Sequence, residues 1–187
     1  MSRVNWKPGN MLFPLPVVMV SCGVYSEITN IITIAWTGTL CTDPPMCYIS
    51  VRPERHSYNM IKESGEFVIN LTTKKLAYAT DWCGVKSGRD FDKFKEMKLT
   101  PLKGVVVSAP IIAESPVSIE CRVKDIIELG SHHMFTAVVV NISVDKNYID
   151  NKTDALHLDR TEPLSYIHGK YYDTGKFIGK FGYSIKK

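Results

Sequence analysis

The stretch SVRPERHSYNMIKESGEFVINL, from Ser50 to Leu71, predicts a strand, a short helix and a second strand in immediate succession. The first strand ends before Pro53, because proline cannot donate to the hydrogen-bond ladder of a central strand. The helix covers residues 57–64, and Gly65 is typical of the left-handed residue that ends a helix. Phe67–Leu71 follows as a strand without a linker. The stretch therefore predicts that a helix begins close to the end of a strand.

Further strands are predicted on both sides of this unit, by β-branched composition or by alternation of apolar and polar residues. They cover Val17–Val20, Asn30–Leu40, Met46–Val51, Ile119–Val123 and Val138–Val144. The alternation slips at Asp125-Ile126, which predicts a β-bulge. Helices are fewer: Lys74–Trp82 is predicted as a helix ended by Gly84, and residues 87–98 as a loop with one helical turn. Many strands and few helices predict a mainly β (α+β) fold, a β-barrel with a few peripheral helices.

The composition is that of an ordinary globular protein. The chain has 187 residues, of which 44% are hydrophobic and 22% charged. At about 150 residues per domain, this length predicts a single domain over residues 1–187. The apolar run Met11–Val20 superficially resembles a secretory leader, but Pro14 and Pro16 would disrupt a helix there. Since no run reaches the roughly 18 apolar residues of a spanning helix, we expect a soluble protein with no membrane partner.

The net charge of +4 is concentrated at the C-terminus. From Tyr166 onward one acid, Asp173, is set against five lysines: Lys170, Lys176, Lys180, Lys186 and Lys187. A nucleic-acid-binding protein would carry basic charge across a broader face, so no nucleic-acid partner is expected. The lysine-rich end is predicted to be a solvated extension from about residue 173. The glycines and aromatic residues of Lys176–Tyr183 suggest that part of it packs.

The five cysteines do not indicate a metal site or a disulfide framework. Their spacings are scattered and contain no CxxC pair, so a zinc site or a thioredoxin-type motif has little support. Cys41 and Cys47 could pair only if the strand geometry allowed it. Mostly buried, reduced thiols are therefore expected, as in a cytoplasmic protein.

The residues around the predicted start of the helix are suited to an anion. Ser50, Arg52, Arg55 and Ser57 surround a helix N-terminus, where free N–H groups and the helix dipole favour negative charge. Arginine adds a charge-assisted, bidentate fork for phosphate. No GxSxG, HExxH, GxxxxGK[ST] or GxGxxG motif is present to support a hydrolytic, P-loop or Rossmann site. The alternative, arginines that only solvate a loop, stays open at this point.

Seven segments in one consistent order resemble the flavin reductase-like family, with the flavoredoxin type as the closest branch. They are Asn30–Trp36 (NIITIAW), Asp43–Pro45, Ser50–Leu71, Gly88–Phe94 (GRDFDKF), Ala113–Cys121 (AESPVSIEC), Gly130–Phe135 (GSHHMF) and Tyr166–Tyr172 (YIHGKYY). The resemblance covers about residues 10–175. It implies an FMN-binding split β-barrel, with two flavin sites at a homodimer interface.

The resemblance also implies which residues bind FMN. They are Asn30, Thr33, Ala35, Trp36, Ser50, Val51, Arg52, Arg55, Ser57, Lys93, His132 and Tyr166. Within this set, the residues of the segment Ser50–Ser57 would hold the phosphate and ribityl groups. Trp36 would form a wall of the flavin site, unless it is simply a core aromatic residue, and Tyr166 would close over the ring. His132 matches the family's Gly-x-His position, but the neighbouring His133 leaves the choice between the two histidines open.

The implied activity needs no catalytic side chain, because FMN performs the redox chemistry while the protein binds, orients and tunes it. Electrons would come from NADH, from NADPH or from a redox protein such as a ferredoxin. They would pass to free flavin or to a partner protein. Two alternatives remain: a flavoredoxin-type electron carrier with no NAD(P)H site of its own, and a protein that only stores flavin.

Overall fold

The structure is a computed structural model that describes residues 1–185 of the chain. Lys186 and Lys187, part of the predicted lysine-rich extension, lie outside the described residues. The strands are β1 (Leu15–Pro16), β2 (Val18–Gly23), β3 (Thr29–Ile34), β4 (Thr37–Thr42), β5 (Pro45–Val51), β6 (Glu66–Leu71), β7 (Pro101–Leu102), β8 (Ile111–Ile112), β9 (Val117–Glu128), β10 (His133–Val144), β11 (Leu164–Ile167) and β12 (Lys170–Asp173). The helices are α1 (His56–Ser64), α2 (Ala77–Val85) and α3 (Lys93–Glu96), with 3-10 turns at Lys74–Leu76, Lys146–Tyr148 and Leu158–Thr161. The mainly β prediction with few helices is confirmed, and none of the described helices is long and apolar enough to cross a membrane.

Seven strands form one antiparallel sheet in the order β3-β2-β6-β9-β10-β5-β4. Its outer strands are β3, which pairs with β2, and β4, which pairs with β5. Among the described strands these two do not pair with each other, so the sheet is not closed into a barrel. The backbone N–H of Ser50 donates to the carbonyl of Trp36 at 2.8 Å. This bond brings the end of β5 to Ala35-Trp36, the two-residue link between β3 and β4. The open sheet therefore has two ends that approach each other beside the start of α1.

Two smaller sheets complete the architecture. The hairpin of β11 and β12 pairs with β1 in a three-stranded sheet, in the order β1-β11-β12. Strands β7 and β8 form a two-stranded pair. The first of these sheets is important for the site, because it carries Tyr166 and Tyr171 from the C-terminal part of the chain to the neighbourhood of β3.

Both faces of β2 are buried, which explains the continuous apolar run near the start of the sequence. Val18 and Val20 belong to the main apolar cluster, with Phe67 and Phe135 from β6 and β10. Met19 points to the other face and belongs to a second cluster that includes residues of α2 and α3. A strand covered on both faces needs apolar residues at every position instead of every second one.

Two predicted elements have a different course in the structure. Asn30–Leu40 is two strands, because the chain turns at Ala35-Trp36 and starts β4 at a different edge of the sheet. The predicted helix Lys74–Trp82 starts as a 3-10 turn and continues through Gly84 to Val85, so Gly84 does not end it. A Cβ atom at Gly84 would lie 3.2 Å from Cβ of Thr33, so the glycine serves close packing of α2 on β3.

The predicted bulge is present, one residue from its expected position. The register of β9 against β10 pairs Asp125 with Thr136 and Val123 with Ala137, which leaves Lys124 as the additional residue. The alternation of the sequence therefore located the irregularity closely.

The C-terminal extension does not pack on the described part of the fold. After β12 the structure has no further strand or helix up to residue 185. Phe177, Ile178 and Phe181 are among the most exposed large apolar side chains. The expectation that Lys176–Tyr183 packs in part is therefore wrong for this chain. Its glycines separate the apolar residues, and no regular element gathers them on one face.

Glu120 of β9 is a completely buried carboxylate that holds the loop before β8. It accepts hydrogen bonds from the backbone N–H groups of Val105, Val106 and Val107 at 3.1, 2.7 and 2.9 Å, and from Asn141 Nδ2 at 2.7 Å. Burial alone would raise the pKa of Glu120, but these hydrogen bonds outweigh burial and hold its pKa below the ordinary value. The ionised carboxylate therefore replaces strand pairing as the anchor of this loop.

Candidate functional site

Two adjoining cavities lie where β3 and the end of β5 meet α1 and α2. The first, of about 430 Å³, has mainly apolar and aromatic walls and is called the aromatic cavity. The second, of about 380 Å³, has mainly polar and charged walls and is called the cationic cavity. They share Ile32, Arg52, Arg55 and Gly84. One elongated ligand can therefore extend through both.

All twelve residues that the family resemblance implied line these cavities. Thr33, Ala35, Trp36, Ser50, Val51, His132 and Tyr166 line the aromatic cavity, Asn30, Ser57 and Lys93 line the cationic cavity, and Arg52 and Arg55 line both. The fold thus gathers side chains from widely separated segments at one place. Their roles toward a cofactor stay predictions.

The aromatic cavity has one wall formed by Trp36 and His132. Their rings stack, with centroids 5.5 Å apart and planes 27° from parallel. Trp36 remains 40% exposed, so it is a wall residue and does not belong to the apolar core. Burial and the positive charges of Arg52 and Arg55 lower the pKa of His132, so this ring is a neutral hydrogen-bonding and stacking group at neutral pH.

The structure distinguishes the two adjacent histidines. His132 lines the aromatic cavity, whereas the Nδ1 atom of His133 lies 2.7 Å from Oη of Tyr58. Tyr58 in turn contacts Phe135 edge to face, with centroids 5.3 Å apart. His133 therefore belongs to the packing of α1 on the sheet.

A second aromatic group comes from the β11–β12 hairpin. Tyr166 and Tyr171 are paired across the hairpin, with their ring centroids 5.8 Å apart, and both line the aromatic cavity. Burial and the Asp81 carboxylate raise the pKa of Tyr171 to about 12, so its hydroxyl keeps its proton. This hairpin is held near the site by β1, because Leu15 pairs with Tyr166.

The cationic cavity surrounds the start of α1. Arg55 is the N-cap residue of this nine-residue helix, and no side chain caps the helix. Free N–H groups at a helix start attract anions. Five arginine and lysine side chains line the cavity at this end of the helix: Arg52, Arg55, Lys86, Arg89 and Lys93. The lining also contains one carboxylate, that of Glu54. An anion with more than one negative charge is therefore the ligand that these walls suit best.

Lys93 is a buried cation in the wall of this cavity. Its Nζ donates to the carbonyls of Ile31 and Cys83, both at 2.7 Å. Burial lowers the pKa of Lys93 to about 8, so the side chain is still mostly protonated at neutral pH. The two carbonyls fix the ammonium group in place, which spares the entropy of ordering a long side chain when an anion binds.

Asn30 and Ser57 form the floor of the cationic cavity. Asn30 Nδ2 donates to Ser57 Oγ at 2.8 Å, and both side chains are buried. Gly88 lies against this pair: a Cβ atom there would be 2.2 Å from Asn30 Oδ1. A glycine at this position therefore lets the loop after α2 approach Asn30 closely. A larger residue here would fill the space beside the floor of the cavity.

Some lining residues were not singled out from the sequence. Asp81 and Gly84 belong to α2, Tyr171 to the hairpin and Arg89 to the loop after α2. Arg89 and Gly88 stand in the same GRDFDKF segment that pointed to Lys93, so a signal for them was present. Tyr171 stands in the YIHGKYY segment that pointed to Tyr166, so a signal was present for it as well. Asp81 carried no comparable signal, because its place in the site depends on how α2 docks. Among the described residues, no cluster of three or more His, Cys, Asp or Glu side chains could hold a metal ion.

Comparison with known proteins assigns the chain to a family. Residues 10–175 match the model of the flavin reductase like domain, so the chain belongs to the flavin reductase-like family. The fold is similar to that of flavoredoxin of Desulfovibrio vulgaris (Miyazaki F), with a TM-score of 0.87 and 27% sequence identity over 96% of this chain and 97% of that one.

The chain is also similar in sequence to two curated proteins. An uncharacterised protein of Archaeoglobus fulgidus is 29% identical over 143 residues, which cover 76% of this chain and 80% of the relative. The reductase component of a 4-nitrophenol 4-monooxygenase/4-nitrocatechol 2-monooxygenase from Rhodococcus opacus is 25% identical over 146 residues, or 78% of this chain and 66% of that protein.

Proposed function

We propose that this protein is an FMN-binding oxidoreductase that carries electrons through the bound flavin. The proposal rests on one observation: the aromatic cavity and the cationic cavity adjoin each other, and Arg52 and Arg55 line both. FMN has the matching chemistry: a flat ring system with polar edges, joined by a ribityl chain to a dianionic phosphate. Membership of the flavin reductase-like family supports this choice of ligand.

The phosphate would bind at the start of α1. Arg52 and Arg55 would offer charge-assisted hydrogen bonds, and the first N–H groups of the helix would complete the site. The ammonium group of Lys93 and the hydroxyl of Ser57 line the same cavity. With several donors fixed by the fold before binding, little conformational entropy would be lost on binding.

The ring system would lie in the aromatic cavity. Trp36, stacked on His132, would cover one part of it, and Tyr166 would limit access from the hairpin side. The apolar side chains of Val17 and Val51 would exclude water from the ring. The bound FMN supplies the exchange of electrons, while these residues orient it and set its surroundings.

The electron donor is proposed to be NADH, NADPH or a redox protein such as a ferredoxin, and the acceptor free flavin or a partner protein. Likeness to a reductase component supports a pyridine-nucleotide donor, and likeness to a flavoredoxin supports protein-to-protein transfer. We also propose that the protein works as a homodimer in the cytoplasm. The 40% exposure of Trp36 at the edge of the site supports a second copy covering it.

The test is the visible spectrum of the protein reconstituted with FMN, recorded under anaerobic conditions before and after NADH and then NADPH are added. Prompt bleaching by one nucleotide identifies a reductase and its donor. A flavin spectrum that a reduced ferredoxin bleaches but neither nucleotide does identifies an electron carrier. A spectrum that only dithionite bleaches identifies a protein that stores flavin. A protein that binds no FMN contradicts the proposal. Light scattering of the same sample gives the mass that decides between monomer and dimer.

Replacing Trp36 by leucine is expected to change the absorbance and fluorescence of bound FMN. The indole stacks on His132 at the cavity wall, and leucine removes its aromatic contact with the ring system. Because Trp36 is 40% exposed, the free energy of unfolding should change by less than about 1 kcal/mol. Trp6, which is exposed near the N-terminus, gives the control variant Trp6→Leu. If the two variants have the same flavin spectrum, Trp36 does not contact the flavin.

A further inference from the structure

A third cavity, of about 650 Å³, lies between α1 and the turn that joins β2 to β3. It is called the α1 cavity. Val24 and Ile28 of the turn and Met60 of the helix give it apolar walls, and the two turn residues are exposed. None of the three lines the aromatic or the cationic cavity, so the proposed FMN site does not explain this apolar surface.

The α1 cavity also carries negative charge. Glu27 of the turn and Glu63 of the helix line it, and both residues are exposed. Within residues 1–185 neither carboxylate forms an ion pair. The basic side chains of the lining, His56 and Arg89, also line the cationic cavity, so they lie where the two cavities adjoin. The rest of the lining suits a ligand that is both apolar and positively charged.

The C-terminal extension of the chain has this chemistry. Residues 174–187 contain four lysines and no acidic residue. In residues 176–178 (KFI) and 180–181 (KF), a lysine comes directly before the apolar residues. Phe177, Ile178 and Phe181 are exposed, so the fold of their own chain leaves this apolar surface in water. Exposed apolar surface that is rimmed by polar residues is typical of an interaction site.

We propose that the C-terminal extension of one copy of the chain docks in the α1 cavity of a second copy. The rings of Phe177 and Phe181 would lose contact with water against the turn and the helix, and the thioether of Met60 makes favourable contacts with aromatic rings. The lysines beside the two rings would lie near the two carboxylates, and such charge complementarity sets the register of a contact.

A second copy is the partner because the structure keeps the extension away from its own α1 cavity. Beyond β12 its side chains are almost all exposed, and the backbone hydrogen bonds made by Tyr183 and Ile185 are to residues of the extension itself. The inference goes beyond the proposed function, since the α1 cavity and the extension take no part in the proposed flavin site.

The test is cross-linking of the full chain with a water-soluble carbodiimide, which joins a lysine amine directly to a carboxylate. A denaturing gel then separates covalent dimers from single chains, and each band is digested and analysed by mass spectrometry. The expected result is a cross-linked peptide in the dimer band that joins a lysine of residues 176–180 to Glu27 or Glu63.

Two variants test the apolar part of the contact while every reacting group stays in place. Phe177→Ser/Phe181→Ser is expected to lower the yield of this peptide about fivefold or more, because the burial of one phenyl ring already favours binding by more than this factor. Ile28→Ser makes the same test from the cavity side and should give a comparable loss. Val4→Ser/Trp6→Ser is the matched control: it removes two exposed apolar side chains that line none of the three cavities, and should leave the yield unchanged.

Four results would overturn the inference. A cross-linked peptide found only in the single-chain band would mean that the extension docks on its own chain, and its absence from both bands would mean that the cavity does not bind the extension. An equal yield in Phe177→Ser/Phe181→Ser and the unmodified protein would leave only chance encounters of surface charges. An equal loss in the N-terminal control would assign the effect to non-specific association.

The flavin site is tested separately, so that the two proposals can fail independently. Titration with FMN should give the same affinity for Phe177→Ser/Phe181→Ser and the unmodified protein, because neither phenylalanine lines the aromatic or the cationic cavity. Loss of the cross-link with FMN binding intact would remove this inference and leave the proposed function in place.

Discussion

Replacing both Arg52 and Arg55 by alanine is expected to weaken FMN binding by about a hundredfold or more. A hydrogen bond to a charged group contributes about 1.5–3 kcal/mol, and about 1.4 kcal/mol is a factor of ten in affinity. The lower part of that range applies to Arg52, because its side chain is half exposed and its Nε already lies 2.7 Å from Glu54 Oε1. Titration of the apoprotein with FMN measures the loss directly.

The control for this experiment removes the same charge elsewhere. Arg3 and Arg160 are exposed and line neither the aromatic nor the cationic cavity, so the Arg3→Ala/Arg160→Ala variant should keep its FMN affinity. Neither pair is part of the apolar core, and both variants should unfold at nearly the same urea concentration as the unmodified protein. If both double variants lose the same affinity for FMN, the loss is an effect of the protein's net charge. If neither loses affinity, Arg52 and Arg55 do not bind the phosphate.

Replacing Glu120 by alanine is expected to lower the free energy of unfolding by about 3 kcal/mol. The substitution leaves the backbone N–H groups of Val105–Val107 and the amide of Asn141 without their buried acceptor. Urea unfolding followed by circular dichroism measures the loss. Glu128→Ala, at an exposed strand end, is the control and should cost less than about 0.5 kcal/mol. A loss of less than about 1 kcal/mol in Glu120→Ala would mean that other contacts hold the loop.

The same carboxylate predicts a dependence of stability on pH. The pKa of Glu120 in the folded protein lies below its ordinary value, whereas the unfolded chain has the ordinary value. Its contribution is therefore fully present above the unfolded pKa and is lost as the pH falls through the folded pKa. In Glu120→Ala the decline of stability in this acidic range should be smaller than in the unmodified protein. An identical decline would show that Glu120 is not the group that titrates.

The local parts of the fold could be predicted from the sequence. Helix α1 ends at Gly65, whose φ of 67° is the left-handed conformation that a glycine adopts at little cost. Alternating residues placed β9 and β10, and their bulge within one residue of Lys124. These features depend on the preferences of a few neighbouring residues, which a sequence displays.

The features that depend on docking could not be predicted. The break at Ala35-Trp36 has no glycine or proline to mark it, and it exists because β4 pairs with β5 at the far edge of the sheet. Likewise, Gly84 looks like a helix stop, yet the structure uses it where α2 meets Thr33. Long-range packing decides both cases, and a single sequence does not record it.

The candidate site shows the same division. A resemblance of ordered segments pointed to twelve residues, and the structure brings all of them to two adjoining cavities. The resemblance did not name Asp81 or Tyr171 as site residues, although Tyr171 stands in one of its segments. These two residues reach the site through α2 and the hairpin.

Because no side chain caps helix α1, hydrogen exchange at its first turn is expected to depend on the bound ligand. The N–H of Tyr58 donates to the carbonyl of Arg55 at 3.0 Å, but no side chain accepts from the other N–H groups of the first turn. Their protons are therefore expected to exchange more readily than those farther along the helix. An anion at this end would supply the acceptor and slow their exchange. Deuterium uptake at the first turn of α1, compared with and without FMN, would therefore show whether an anion occupies this end of the helix.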